Sequence, residues 1–108
     1  MANNNLVTIL GTVYEVVEDA ALDETFDGQC VEYSKEILIR PLEQMLGDDD
    51  SEDEKRKRYN EVLRHEIIHA FFAESGLEEY CNNEQLVDWI AKQFPKMYRV
   101  FAGCDCVK

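Results

Sequence analysis

The only two histidines of this chain stand four residues apart, as the ends of His65-Glu66-Ile67-Ile68-His69 in a run that favours helix. On an α-helix four residues advance about 6 Å and turn back by about 40°, so both imidazoles leave one face, one turn apart. No other feature constrains the fold as much. A helix this apolar has to be covered over part of its surface, and buried ring nitrogens then need partners. Satisfied core histidines would meet that need. A shared metal ion would meet it as well.

The helix has a legible beginning and end. Ser51 with Glu54 three residues on forms a capping box, which sets Glu52, Asp53 and Glu54 at the positive end of the helix dipole. Glu52–Arg56, Asp53–Lys57 and Glu54–Arg58 are i,i+4 pairs with the acid first, so the charged run 47–58 reads as solvated helix surface. From Tyr59 the helix turns apolar. Val62, Leu63, Ile67, Ile68, Ala70, Phe71, Phe72 and Ala73 cover most of its circumference and predict burial on several sides. Gly76 is the expected stop. A second helix is expected over 82–94, capped by Asn82 or Asn83 and ending near Pro95, with Leu86, Trp89, Ile90 and Phe94 as its apolar face. Trp89 and the Phe71–Phe72 pair read as core. The tail MYRVFAGCDCVK shows no clear period.

The first third reads as strand. Residues 6–18 are rich in Val, Ile, Thr and Tyr and bend at Gly11, Asp27-Gly28 is a turn signal, and 31–39 reads as a strand closed by Pro41. A short helix is expected over Leu42–Leu46. With 108 residues and 45% apolar content, the chain suits one α+β domain, 1–108. A small sheet would pack on the HEIIH helix and the helix that follows it.

Two histidines alone hold zinc weakly, so a third ligand is expected downstream. Asn83-Glu84-Gln85-Leu86-Val87-Asp88 reads N-E-x-x-x-D at the start of the second helix. A carboxylate at Glu84 can face the histidine pair after an antiparallel return. Asp88, one turn further along, is placed to accept a ligand's remaining ring N–H. Glu66 lies between the histidines but is offset around the helix, within reach of a water on the metal without ligating it. Two other readings stay open: Glu84 as a mere helix-start acid, and Cys81 as a softer ligand.

HEIIH followed by NEQLVD resembles the gluzincin pattern of thermolysin-type metallopeptidases. The fuller string EVLRHEIIHAFFAESGL with NNEQLVDWIAKQFPK resembles small metallopeptidase-like proteins of phages and prophages. GQCVEYSKEILI is similar to the strand before the active helix in minimal zincins, including phage-repressor-cleaving and SprT-like groups. The likeness spans roughly residues 28–97. It implies an α+β minimal zincin fold with His65, His69 and Glu84 as zinc ligands, Glu66 as general base, and Asp88 as the partner of a ligand, His65 in the first instance. The implied activity is hydrolysis of a peptide bond by zinc-activated water, on a peptide or protein substrate. No third histidine exists, so an oxyanion donor would have to come from another residue, such as Tyr80, Tyr98 or Arg99. Within these 108 residues no second domain is expected to wall the cleft as in large gluzincins. An exposed edge over 31–39 could instead bind the peptide as an added strand.

Charge narrows the partners. Eleven Lys and Arg against 23 Asp and Glu give a net charge of −12, which repels nucleic-acid backbones and anionic membranes. MANNNLVTIL lacks the basic start of a signal peptide, and no apolar run is long enough to span a bilayer. The expectation is a cytoplasmic protein, in a bacterial host cell if phage-encoded, with Cys30, Cys81, Cys104 and Cys106 reduced. Cys104 and Cys106 stand close enough in sequence to share an ion, but no second pair accompanies them. Two alternatives to the enzyme are a catalytically silent, zinc-stabilised binding protein and an acidic decoy. The decoy is weakened by acids spread well beyond the 48–58 run.

Overall fold

A computed structural model describes residues 5–45 and 51–108. It is an α+β arrangement in which a four-stranded mixed sheet is covered by helices. The strands are β1 (Asn5–Ile9), β2 (Thr12–Glu18), β3 (Gly28–Val31) and β4 (Glu36–Ile39), in the spatial order β1-β2-β4-β3. The helices are α1 (Glu52–Glu74), the single turn α2 (Glu78–Cys81) and α3 (Glu84–Gly103), with a short 3-10 turn at Leu42–Gln44. No helix among the described residues is long and apolar enough to cross a membrane. The expected helix over Leu42–Leu46 is this 3-10 turn as far as it is described; residues 46–50, which include Leu46 and the start of the charged run, lie outside the described residues.

β1 and β2 form a hairpin through Leu10 and Gly11, both at positive φ (51° and 89°), the geometry whose twist matches two flanking strands. β2 then pairs in parallel with β4, and β3 returns antiparallel on the outer side of β4. The 31–39 segment is therefore not one strand. It breaks at Glu32–Lys35, where Tyr33 is 99% exposed and Lys35 takes φ 58°, so β4 is interior and β3 is the edge. Alternation at Val31, Tyr33, Ile37 and Ile39 is compatible with one strand or two. Only the pairing of β3 with β4 decides between them.

One face of the sheet is dry. Ile9, Tyr14, Val16, Ile37 and Ile39 alternate inward and meet Met45 and Ala70. From α1 come Tyr59, Val62, Leu63 and Ile67, a stripe at helical spacing that also contains Glu66. Burial of α1 on several sides is not what is seen. Within the helix only Glu66 and Ala70 are fully buried, and Phe71 is 44% exposed, because α3 crosses just part of its outer side.

The ends of α1 are fastened as its sequence predicts. Ser51 accepts from the Glu54 N–H at 3.1 Å. At the far end Leu77 N–H bonds to Phe72 O and Gly76 N–H to Ala73 O, with Gly76 at φ 73°, a backbone state that suits glycine. Arg58 turns away from the expected Glu54 partner to Asp27, at 2.6 Å, and Asp27 also holds Arg40 at 3.2 Å. Lys57 pairs with Asp53. At the C-terminal end the Glu74 carboxylate accepts from Thr12 Oγ1 (2.6 Å), Tyr14 Oη (2.7 Å) and Lys35 Nζ (3.0 Å). These donors hold the Glu74 carboxyl down at about 2, the Thr12 bond contributing most. A carboxyl lowered on folding stabilises the fold above its ordinary value of 4.5, and loses that contribution as pH falls from there toward 2. Glu74→Gln should accordingly be less stable than wild type at pH 7, with the gap closing by pH 2 in urea titrations. A gap independent of pH would refute the role of the charge.

α3 departs from expectation in two ways. It continues through Pro95 to Gly103, although a proline normally ends a helix by leaving the carbonyl four residues earlier without its donor. That carbonyl is Ala91 O, and Arg64 Nε of α1 donates to it at 2.7 Å. The missing backbone bond is replaced from another helix. The buried face of α3 is Val87 and Ala91, one turn apart and turned toward α1. Trp89, two residues from each, falls on the opposite side and is 55% exposed, while Phe94 is 46% exposed.

Candidate metal centre

His65 and His69 project from α1 beside the sheet-facing stripe, toward the start of α3. Asn83 caps α3 by accepting from Leu86 N–H at 3.0 Å, which sets Glu84 at the first helical position. Its carboxylate reaches back to both rings. Glu84 Oε1 lies 2.9 Å from His65 Nε2, Glu84 Oε2 lies 3.0 Å from His69 Nε2, and the two Nε2 atoms are 3.2 Å apart. One donor atom from each residue can be chosen so that all lie within 4.8 Å of one another. Zinc with bonds of about 2.0–2.1 Å in a tetrahedron separates its ligands by about 3.3 Å, so this spacing and this donor set fit zinc. The residues present form a His/His/Glu cluster able to hold a metal ion. They leave one side of the cluster open to a cavity.

Asp88 comes to 3.8 Å from His65 Nδ1, on the expected side but beyond hydrogen-bond reach, and its other oxygen pairs with Lys92 at 3.0 Å. Cys81 is buried behind His69: its Sγ lies 3.7 Å from His69 Nδ1, the ring nitrogen turned away from the cluster. This placement opposes its use as a ligand alongside His69 Nε2. The thiol also reaches Glu32 Oε2 and His69 O, each at 3.4 Å. Burial pushes the Cys81 thiol up to about 11 and the Cys30 thiol to about 12. All four cysteines are free thiols.

Glu66 is the one buried charged residue among those described, at 8% exposure. A carboxylate on a sheet-facing stripe is costly to keep charged, and the nearby backbone N–H of Cys30 offsets only a small part of that cost. Arg40 N–H bonds Asp27 O, and antiparallel alternation from that pair turns the backbone N–H and C=O groups of Gly28 and Cys30 outward, away from β4. Desolvation nonetheless pushes the Glu66 carboxyl above its ordinary range, against the pull of His65 and His69. Gly28 makes this approach feasible. A Cβ there would meet Val62 Cγ1 at 2.7 Å and Glu66 Cγ at 3.0 Å. Gly28→Ala should therefore lower stability by about 1–3 kcal/mol through overpacking, read as a shift of the urea midpoint. An unshifted midpoint would mean that the strand yields freely.

Two cavities flank Glu66 along the β3 edge. The larger, ≈ 460 Å³, has Gln29, Cys30, Glu32, Cys81, Asn82 and the three cluster residues on its wall. The other, ≈ 370 Å³, shares Phe26, Gly28, His65 and Glu66 and continues to Arg58, Asp88 and Lys92. Tyr80, Tyr98 and Arg99 line neither. Gln29 and Asn82 place amide side chains on the larger wall; the sequence marked Asn82 only as a candidate helix cap and Gln29 not at all.

The fold and cluster define an α+β protein with a candidate His/His/Glu metal centre beside an edge strand. Comparison with known proteins finds no matching family model, no matching curated protein and no matching solved structure.

Proposed function

We propose that the chain is a zinc-dependent metallopeptidase of minimal gluzincin type that cleaves a peptide or protein substrate. The observation that carries this reading is the convergence of His65, His69 and Glu84 within 4.8 Å, with buried Glu66 lining the same cavity. Zinc, when bound there, supplies Lewis acidity and lowers the pKa of water to about 7. Glu66 takes a proton from the attacking water and returns it to the leaving amine. Its burial suits the task, because a desolvated carboxylate binds a proton more readily. Glu66 lines the cavity beside His65 and His69. An extended substrate pairs along β3, the sheet edge that passes Glu66, and not along 31–39 as a whole.

A second reading, a zinc-stabilised binding protein without turnover, draws support from one observation: Tyr80, Tyr98 and Arg99 stand away from both cavities. A peptide library separates the two readings. The zinc-loaded chain should cut a subset of peptides, with cleavage lost on chelation and restored by zinc. Stoichiometric zinc with an uncut library would overturn the enzyme reading in favour of the binding protein.

A further inference from the structure

The two histidines are supported differently. His65 Nδ1 has its nearest carboxylate, Asp88, at 3.8 Å. His69 Nδ1 meets a buried sulfur at 3.7 Å, within the reach of a hydrogen bond to sulfur, and that sulfur lies 3.4 Å from the Glu32 carboxylate. A thiol has one proton to give and lone pairs to receive with. With S–H directed to Glu32, the sulfur is left to accept from Nδ1–H of His69, whose Nε2 then presents its lone pair to Glu84 and His65. The chain Glu32–Cys81–His69 thus takes the place that a single carboxylate or carbonyl usually fills behind a metal-binding imidazole.

We propose that Cys81 is the positioning residue of His69, a thiol inserted between the Glu32 carboxylate and the ring that fixes its orientation and tautomer for metal binding. This rests on the reading of His65, His69 and Glu84 as metal ligands. The topology explains why a small residue is needed. α2 is a single turn clamped between the end of α1 and the start of α3, and Cys81, its last residue, is 4% exposed. A carboxylate there would crowd Glu32 and add a second buried charge beside Glu66. The thiol passes on the pull of an acid that itself stays exposed.

The test is zinc affinity, by competition with a chromophoric chelator, for wild type, Cys81→Ala, Cys81→Ser and Glu32→Ala. Loss of the sulfur should weaken zinc binding about 10–100-fold, as loss of an outer partner commonly does. Serine, which can make both bonds, should recover most of that loss, and Glu32→Ala should weaken binding less than Cys81→Ala. Wild type that binds no zinc would sink the metal reading itself. Wild type that binds zinc, with Cys81→Ala equally tight, would overturn only the role of Cys81. Equal weakening in the alanine and serine variants would assign the effect to packing and overturn it too. If Cys81→Ala does not fold, proton exchange in zinc-loaded wild type decides. The Nδ1–H of His69 should exchange with solvent more slowly than that of His65, and equal rates would overturn the proposal.

Discussion

Glu84→Ala should cost at least about a hundredfold in zinc affinity, beyond the range that loss of an outer partner produces, and leave the fold intact. Glu84 is 69% exposed at the side chain, so its removal creates no cavity, and surface changes of this kind stay within about 0.5 kcal/mol. Its two oxygens nevertheless stand 2.9 and 3.0 Å from the two imidazoles and supply the only carboxylate of the cluster. A simpler role for an acid at the first position of α3 is to favour the helix dipole, worth about 0.3–1 kcal/mol. Glu84→Asp separates the two roles. Aspartate keeps the charge at the helix start but falls one methylene short of the rings, so it should preserve stability and still lose most of the zinc. Chelator competition and elemental analysis on the folded variants provide the measurement. Full zinc binding in Glu84→Ala would reduce the cluster to two histidines and a helix-start acid.

Glu66→Gln should do the reverse: it should keep zinc and lose hydrolysis. The amide oxygen of glutamine can still accept the Cys30 N–H, and nothing in the cluster depends on Glu66 as a donor. What disappears is the capacity to take and return a proton, a contribution commonly worth 10²–10⁴ in rate. Turnover of any peptide found in the library should fall by that factor with zinc content unchanged. Stability should hold or rise, since a buried carboxylate has become neutral. An unchanged rate would remove Glu66 from the chemistry and send the search for a base elsewhere on the cavity wall.

Local rules account for much of this structure. The Ser51 cap, the Gly76 stop, the Asn83 cap and the bend at Gly11 each depend on chemistry within four residues, and each is where the sequence indicates. The convergence of His65, His69 and Glu84 was legible for a similar reason, because helical geometry pairs the histidines and a short connection limits where an acid can return. What was not legible depends on partners far along the chain. Splitting 31–39 into a turn and β4 requires the ladder with β3. The exposure of Trp89 follows from which side of α3 meets α1, which a purely apolar count misjudged. Cys81 gave no sign that it would sit behind His69, since the sulfur reaches that ring only after the turn at Ser75–Leu77 brings α2 back alongside α1.

The proline in α3 has a consequence for the cluster. Along an uninterrupted helix the interior carbonyls are already engaged by their own amides, so a guanidinium from a neighbour finds no preferred place to settle. Pro95 disengages one of them, Ala91 O, and Arg64 takes it. That bond works as an index mark between two otherwise smooth rods. Sliding α3 by a single residue would shift Glu84 by about 1.5 Å and swing it through about 100°, enough to carry its carboxylate away from both rings. Arg64 adjoins His65, while Pro95 stands at the far side of the crossing from Glu84. The alignment of the three donors is thus written partly in a residue that never approaches them.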